Sequence, residues 1–416
     1  MTATARRLWA WWVLTRLTLV VLLMTAESGS ISDLNYYKVS LDDLGSEGVG
    51  GTLAEYPLPA FLLLATPYGL LSLAGATDAY QVLVLVLLLV LDAGFLAALV
   101  RSGGAGVPAV VWLVATPALG AISYARFDLV PGVLVALALL ALVEAPRRAA
   151  VLAVLATGVK YSPALVLPGL ATPAASRLRV VVSGAVAGIG LVAVSVVVGG
   201  WDRIVSPLTY QGDRGLQIES VAATPAMVRW ALAPGDDRIF FAPSLAWEID
   251  GPWTDALLRL STAVTVLLAV ALVFLWALAW TRLPDPRTAM PAVVWLTLGA
   301  LSAFVVSGKV LSPQYLLWLF PAACAGLALL DGADRSRLAR WTAVLLVAAV
   351  LSHVLYPHVY RALIDGHTGW SVPVVLVLAL RNLLLAGLCV AALASAWGAT
   401  RRVPRRPRDP AVSRAS

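Results

Sequence analysis

AAVLAVLATGVKYSPALVLPGLA, residues 149–171, is the stretch on which the architecture turns. Taken whole, it is long enough for one membrane-crossing helix, which needs about 20 apolar residues. Yet Lys160 sits at its centre, between Gly158 and the Ser162–Pro163 pair. Proline inside a helix removes a backbone donor and clashes with the preceding turn, and the residue before it is pushed towards extended backbone. The stretch reads either as one helix or as two short helices that turn at GVKYSP, and the split is preferred because it brings the arginines of the other loops to one side. A second ambiguous run, PLPAFLLLATPYGLLSLAG at 57–75, carries three prolines and reads as a helix lying along the membrane surface.

These two choices order the rest of the chain. Of its 416 residues, 60% are hydrophobic and 13% charged, and the mean hydropathy is +0.87. Soluble domains carry about a quarter charged residues, so the composition is that of an integral membrane protein. Further apolar runs at 8–26, 79–100, 107–124, 128–145, 178–199, 257–280, 289–307, 312–330, 340–356 and 371–397 make it an all-α polytopic protein with about twelve crossings. The start lacks a small-residue cleavage site and Arg16 interrupts its apolar run, so it reads as an uncleaved first helix. With 149–171 split and 57–75 interfacial, Arg6, Arg7, Arg101, Arg147, Arg148, Arg177, Arg179, Arg282, Arg287, Arg335, Arg337 and Arg340 share one side with the C-terminal arginines. That is the positive-inside pattern, with both chain ends cytoplasmic.

The net charge is +7, and much of the excess lies in RRVPRRPRDPAVSR at 401–414. Residues 399–416 are read as a disordered cytoplasmic tail beside anionic lipid, not as a nucleic-acid arm. Residues 1–398 form one membrane domain, whose outer loops are 27–78 and 200–256. Cys324 and Cys389 both fall in apolar runs, so no disulfide framework is expected.

All three lysines, Lys38, Lys160 and Lys309, fall on the outer side, against the orientation bias. Five polar stretches lie there with them. SDLNYYKVSL (32–41) holds Asp33, Tyr36 and Tyr37, and EYPLP (55–59) holds Glu55 and Tyr56. A carboxylate just outside a helix is a candidate general base; the plainer reading is a solvated loop acid beside headgroup-level aromatics. ARFDLVP (125–131) places Arg126 and Asp128 at a helix turn, either as a local ion pair or as a holder of an anionic or sugar group. YQGDRGLQIES (210–220) carries Asp213, Arg214, Gln217 and Glu219. GKVLSPQYLLWLFP (308–321) carries Lys309, Ser312, Gln314 and Tyr315, suited to binding a phosphate or to capping a helix. His353 and His358 end the eleventh crossing, as structural residues or as phosphate ligands.

The sequence contains no Walker A motif, GxGxxG after a strand, HExxH or GxSxG. Its loops are too short to house a nucleotide-sugar domain, so an activated donor would sit in the membrane. Asp42, Asp43 and Glu47 read equally as solvated acids or as cation ligands, no metal site is evident, and neither a metal nor a cofactor is expected.

In this order, SDLNYY, EYPLPAFLLLATP, YARFDLVP, GVKYSPALVLPGL, YQGDRGLQIES and KVLSPQYLLWLFP resemble the membrane glycosyltransferases of the C-type superfold, family 87 above all. That family includes polyprenyl-phosphate-mannose-dependent mannosyltransferases, among them those acting on phosphatidylinositol mannosides. The chain departs from it in YPLP for YPP and ARFD for a GQ-type turn. The resemblance implies an inverting transfer from a polyprenyl-phosphate sugar to a glycolipid or lipid-linked glycan. It gives Asp33 the role of general base. Lys309, Lys160, Arg126 and Arg214 would face the donor phosphate. Tyr36, Tyr37, Glu55, Tyr56, Asp128, Gln217, Glu219, Ser312, Gln314, Tyr315, His353 and His358 would line the substrates. The implied place is the plasma (inner) membrane with the site on its outer, periplasmic face, among membrane lipids and without nucleic acid. A transporter or flippase for a lipid-linked sugar is the alternative. Transporters usually show inverted repeats and charges near the midplane, whereas no repeat is visible here and the charges gather at one face.

Overall fold

A computed structural model describes residues 3–102, 106–212, 214–233, 235–366 and 369–403. The chain is a helical membrane protein. Among the described residues, seven helices are long and apolar enough to cross a bilayer: Thr4–Met24, Thr77–Arg101, Ala174–Gly199, Thr254–Arg282, Pro286–Ser307, Gly332–Val359 and Ser371–Arg402. The expected crossings at 107–124, 128–145 and 312–330 appear instead as shorter apolar helices, Val107–Leu119, Leu129–Ala141 and Pro313–Leu329. A 13-residue helix reaches only about 20 Å at 1.5 Å per residue, less than the roughly 30 Å of hydrocarbon. The physical cause is local: Pro117 and Gly120 (φ +85°) stop the first of these.

The opening stretch divides at its lysine. A helix runs from Pro146 to Val159, Lys160 is extended (φ −147°, ψ 141°), and a tight turn at Ser162–Val166 leads into Leu167–Leu170. Residues 57–75 form the 16-residue helix Leu58–Leu73, whose Leu70 and Leu73 are exposed.

Pro286–Ser307 is the axis of the bundle, buried along nearly its whole length and packed on Ser371–Arg402. Leu129–Ala141 packs between Pro146–Val159 and Leu316–Leu329. Its Gly132 lies so close to Leu317 that a Cβ there would come within 2.0 Å of the carbonyl oxygen. The lipid-level interior also holds an ion pair. Arg16 Nε lies 2.7 Å from Asp92 Oδ2, with both side chains at most 2% exposed. Trp12, Trp112 and Tyr124 donate further hydrogen bonds to Asp92. A charge at membrane depth is tolerated when partnered in this way.

The loop 200–256 is folded, and it adds a two-stranded sheet to the all-α architecture expected. Helices Asp202–Gly212 and Thr224–Leu232 precede an antiparallel hairpin, Arg238–Ala242 with Ala246–Asp250. RIFFA and AWEID carry the β-branched and aromatic residues that suit strands. A three-residue turn joins them, with Leu245 in left-handed backbone. Leu216, Ile218, Met227, Trp230 and Ile249 form a small second core against Leu355, Leu363 and Val375. This core seats the loop as a cap over one end of the bundle. At the opposite end Arg287 pairs with Glu144 and Arg402 with Asp334. Residues 399–402, assigned above to the tail, continue the last helix; 404–416 lie outside the described residues.

Candidate active site

Beneath the cap is a cavity of about 490 Å³. The first-helix loop, the 122–128 segment, the break at Lys160, the cap and the 312–315 turn all contribute to its wall. Asp33 lies in the first turn of the short helix Ser32–Asp42. Its Oδ2 is 2.5 Å from Arg126 Nε, an ion pair whose N–H is not aligned on the oxygen as a hydrogen bond. Burial raises the Asp33 pKa above the ordinary aspartate value, and Arg126, the largest opposing influence, does not fully offset it. Burial disfavours the charge of Arg126, yet Asp33 opposite it leaves the guanidinium pKa raised.

Arg126 and Asp128 do not pair with each other. Asp128 is 2% exposed and accepts from Lys160 Nζ at 2.5 Å and from Trp318 Nε1 at 3.0 Å. The Lys160 ammonium also stands 5.1–5.3 Å from the ring centres of Phe127, Tyr315 and Trp318, within cation–π range. Tyr37, Tyr56 and Phe127 pack edge to face and tilted behind Asp33. Burial holds both tyrosine hydroxyls far above their usual pKa, so they act as neutral donors. Tyr36 donates to Glu55 at 2.8 Å.

Of the cap residues, Arg214 lines the cavity beside Tyr210 and reaches the Ser244 carbonyl at 3.4 Å. Gln217 accepts from the Leu311 backbone, and its own N–H donates to the Lys309 carbonyl, so it ties the cap to the 308–314 segment. Glu219 is buried against Arg381 at 3.3 Å, and burial raises its pKa. Ser312, Gln314 and Tyr315 line the cavity. Ser312 makes no side-chain cap, and Gln314 Oε1 is buried without a partner.

A second cavity of about 310 Å³ adjoins the first. Pro57, Pro207, Leu208, Phe304, Val310 and Trp318 make much of its wall apolar, and Lys309 stands in it with Nζ on the Gly212 carbonyl. Glu55, Tyr56, Lys160, Gln211 and Tyr315 line both cavities.

Several expected residues take other places. Lys38 turns outward to Asp42, and His353 and His358 line neither cavity. Asp213 lies outside the described residues. Sequence reasoning missed Tyr210, Trp247, Tyr356 and Tyr360 in the wall, and Arg381 and Asn382 behind Glu219. An Arg–Asn pair inside the apolar run 371–397 was the available signal for the last two, since ionisable groups in such runs face partners.

The geometry is that of a polar chamber with a buried carboxylate and several cations, adjoining an apolar one. Among curated proteins and among solved structures nothing matches the chain. The family model of glycosyltransferase family 87 matches residues 56–308, which include Arg126, Asp128, Lys160, Arg214, Gln217 and Glu219 and exclude Asp33 and Lys309. The match covers more than half of the chain, and the protein belongs to glycosyltransferase family 87.

Proposed function

We propose that this glycosyltransferase moves mannose, with inversion, from a polyprenyl-phosphate donor to a glycolipid or lipid-linked hydroxyl on the outer face of the plasma membrane. The observation that carries the reading is the shared wall of the two cavities: Lys160 stands where a polar chamber holding Asp33 meets an apolar one holding Lys309. A phosphate at that junction would place its sugar towards Asp33 and its lipid chain in the apolar cavity.

In this reading Asp33 takes the acceptor proton as the acceptor oxygen forms its bond to the anomeric carbon. The bond from that carbon to the phosphate oxygen breaks, and the charge leaves on the polyprenyl phosphate. Lys160, with Lys309, Arg126 and Arg214 nearby, would stabilise that developing charge. One preorganised donor of this kind contributes on the order of 3–4 kcal/mol. The buried, unpartnered Gln314 Oε1 is a natural acceptor for a sugar hydroxyl. The reading retains about twelve crossings, in which the shorter helices count as crossings, with both ends cytoplasmic.

The test uses the purified full chain with synthetic polyprenyl-phosphate mannose and a phosphatidylinositol mannoside acceptor. Asp33→Asn should lower transfer by about 10²–10⁴, the usual contribution of a general base. Transfer unchanged by that substitution would remove Asp33 from the chemistry. Transfer from polyprenyl-phosphate arabinose in place of mannose would reassign the donor.

A further inference from the structure

Outside both cavities, Glu27 meets His353 and His358 of one continuous segment against a third segment at Gly120–Ala121, and one ligand-type atom from each of the three side chains lies within 4.8 Å of the others. We infer that these side chains form a site for one zinc-class divalent transition-metal ion, which braces the walls around Asp33.

The spacing carries the first part. His353 Nε2 lies 2.9 Å from Glu27 Oε1, His358 Nε2 lies 3.3 Å from His353 Nε2, and His358 Nε2 lies 3.8 Å from Glu27 Oε1. Ligand atoms about 2.0–2.1 Å from a tetrahedral zinc stand roughly 3.3 Å apart, the centre of these three distances. The donor set, two imidazoles and a carboxylate, suits zinc and its neighbours better than magnesium or calcium.

The backbone carries the second part. Five residues apart on a regular helix, two side chains point roughly 140° away from each other. Here the helix ending at His353 widens and breaks at Tyr356 (φ −124°, ψ 123°), and the break returns His358 to His353. Such widened turns recur at functional sites. Glu27 is 1% exposed, and its second oxygen is held by the Ala121 backbone N–H at 2.8 Å, leaving Oε1 for the histidines. Outer contacts of this kind orient metal ligands. Gly120 clears the space: a Cβ there would stand 2.5 Å from the His353 ring and 3.0 Å from Glu27.

His358 is 45% exposed, so the fourth position opens to water. The three segments also lead into the chamber. Glu27 precedes the turn into Asp33, Ala121 precedes Arg126, and Tyr356, between the two histidines, lines the wall. The ion would therefore join the first-helix loop, the 120–128 turn and the end of Gly332–His353. Its presence does not depend on which sugar the enzyme transfers.

The test measures metal on tag-free, full-length protein in detergent. After chelation and dialysis against zinc, wild type should retain about one ion per chain by elemental analysis and gain thermal stability. Cobalt in its place should give the visible absorption of a tetrahedral site. His358→Ala, a change at a half-exposed side chain, should keep the elution profile and helicity of wild type and lose at least about tenfold in zinc affinity, as even loss of an outer-shell partner does. Glu27→Gln should act likewise. Wild type that holds less than about a tenth of an ion under excess zinc would overturn the site, leaving a hydrogen-bonded Glu–His–His cluster. Equal zinc binding by wild type and His358→Ala would overturn it too.

Discussion

Arg126→Gln offers the sharpest test of how the chamber works. Asp33 is subject to opposing influences: burial raises its pKa, and Arg126, 2.5 Å away, lowers it. Asp128 and Lys160 act in opposite senses on Asp33, so Arg126 is the main influence favouring its ionised form. An arginine at ion-pair distance lowers a carboxyl pKa by about 1–3 units, and both side chains here are only about a quarter exposed. Removing the guanidinium should therefore raise the Asp33 pKa by about 1–3 units. A general base works ionised, so activity falls as pH drops through that pKa. The acid limb of kcat/KM should move to higher pH by the same amount, and below it each unit costs about tenfold.

The assay is sugar transfer from a synthetic donor, followed from about pH 5 to 9 for wild type and Arg126→Gln. An acid limb that stays in place while activity drops equally at every pH would refute the coupling. Arg126 would then serve the donor alone. The same linkage has a consequence for folding. A carboxyl whose pKa is higher in the folded state than in the unfolded one binds its proton more readily there, so its contribution to stability is present at low pH and declines as pH rises through the folded value.

Two further outcomes concern the scaffold. Arg16→Met strands Asp92 without its countercharge and should cost about 3–5 kcal/mol, while Asp92→Leu, which also strips partners from Trp12, Trp112 and Tyr124, should cost more; denaturant titration in detergent ranks them, and the reverse order would contradict the network. Gly132→Ala pushes a methyl into the Leu317 carbonyl and should cost about 1–3 kcal/mol, whereas Gly169→Ala, with its nearest neighbour at 3.5 Å, should be nearly neutral in the same titration.

Much of the architecture was legible in the chain because hydropathy and backbone sterics act locally. Twenty apolar residues demand a helix in lipid, and Gly158, Lys160 and Pro163 demand a break wherever they lie. The candidate base and cations were legible too, as polar stretches that an apolar chain has no local reason to keep. What local rules could not supply was the pairing. Arg126 and Asp128 are two residues apart, yet the turn aims one at Asp33 and the other at Lys160. Asp92 reads as one acid in an apolar run until Arg16 and three other donors from distant segments close around it.

The hairpin over the chamber and the convergence of Glu27 with His353 and His358 belong to the same class. Composition and period determined that this is a helical membrane protein with its unusual charges gathered at one end. Only the tertiary structure decided which charge answers which, because an ion pair or a ligand set depends on distances between segments tens to hundreds of residues apart. No window of sequence contains those distances.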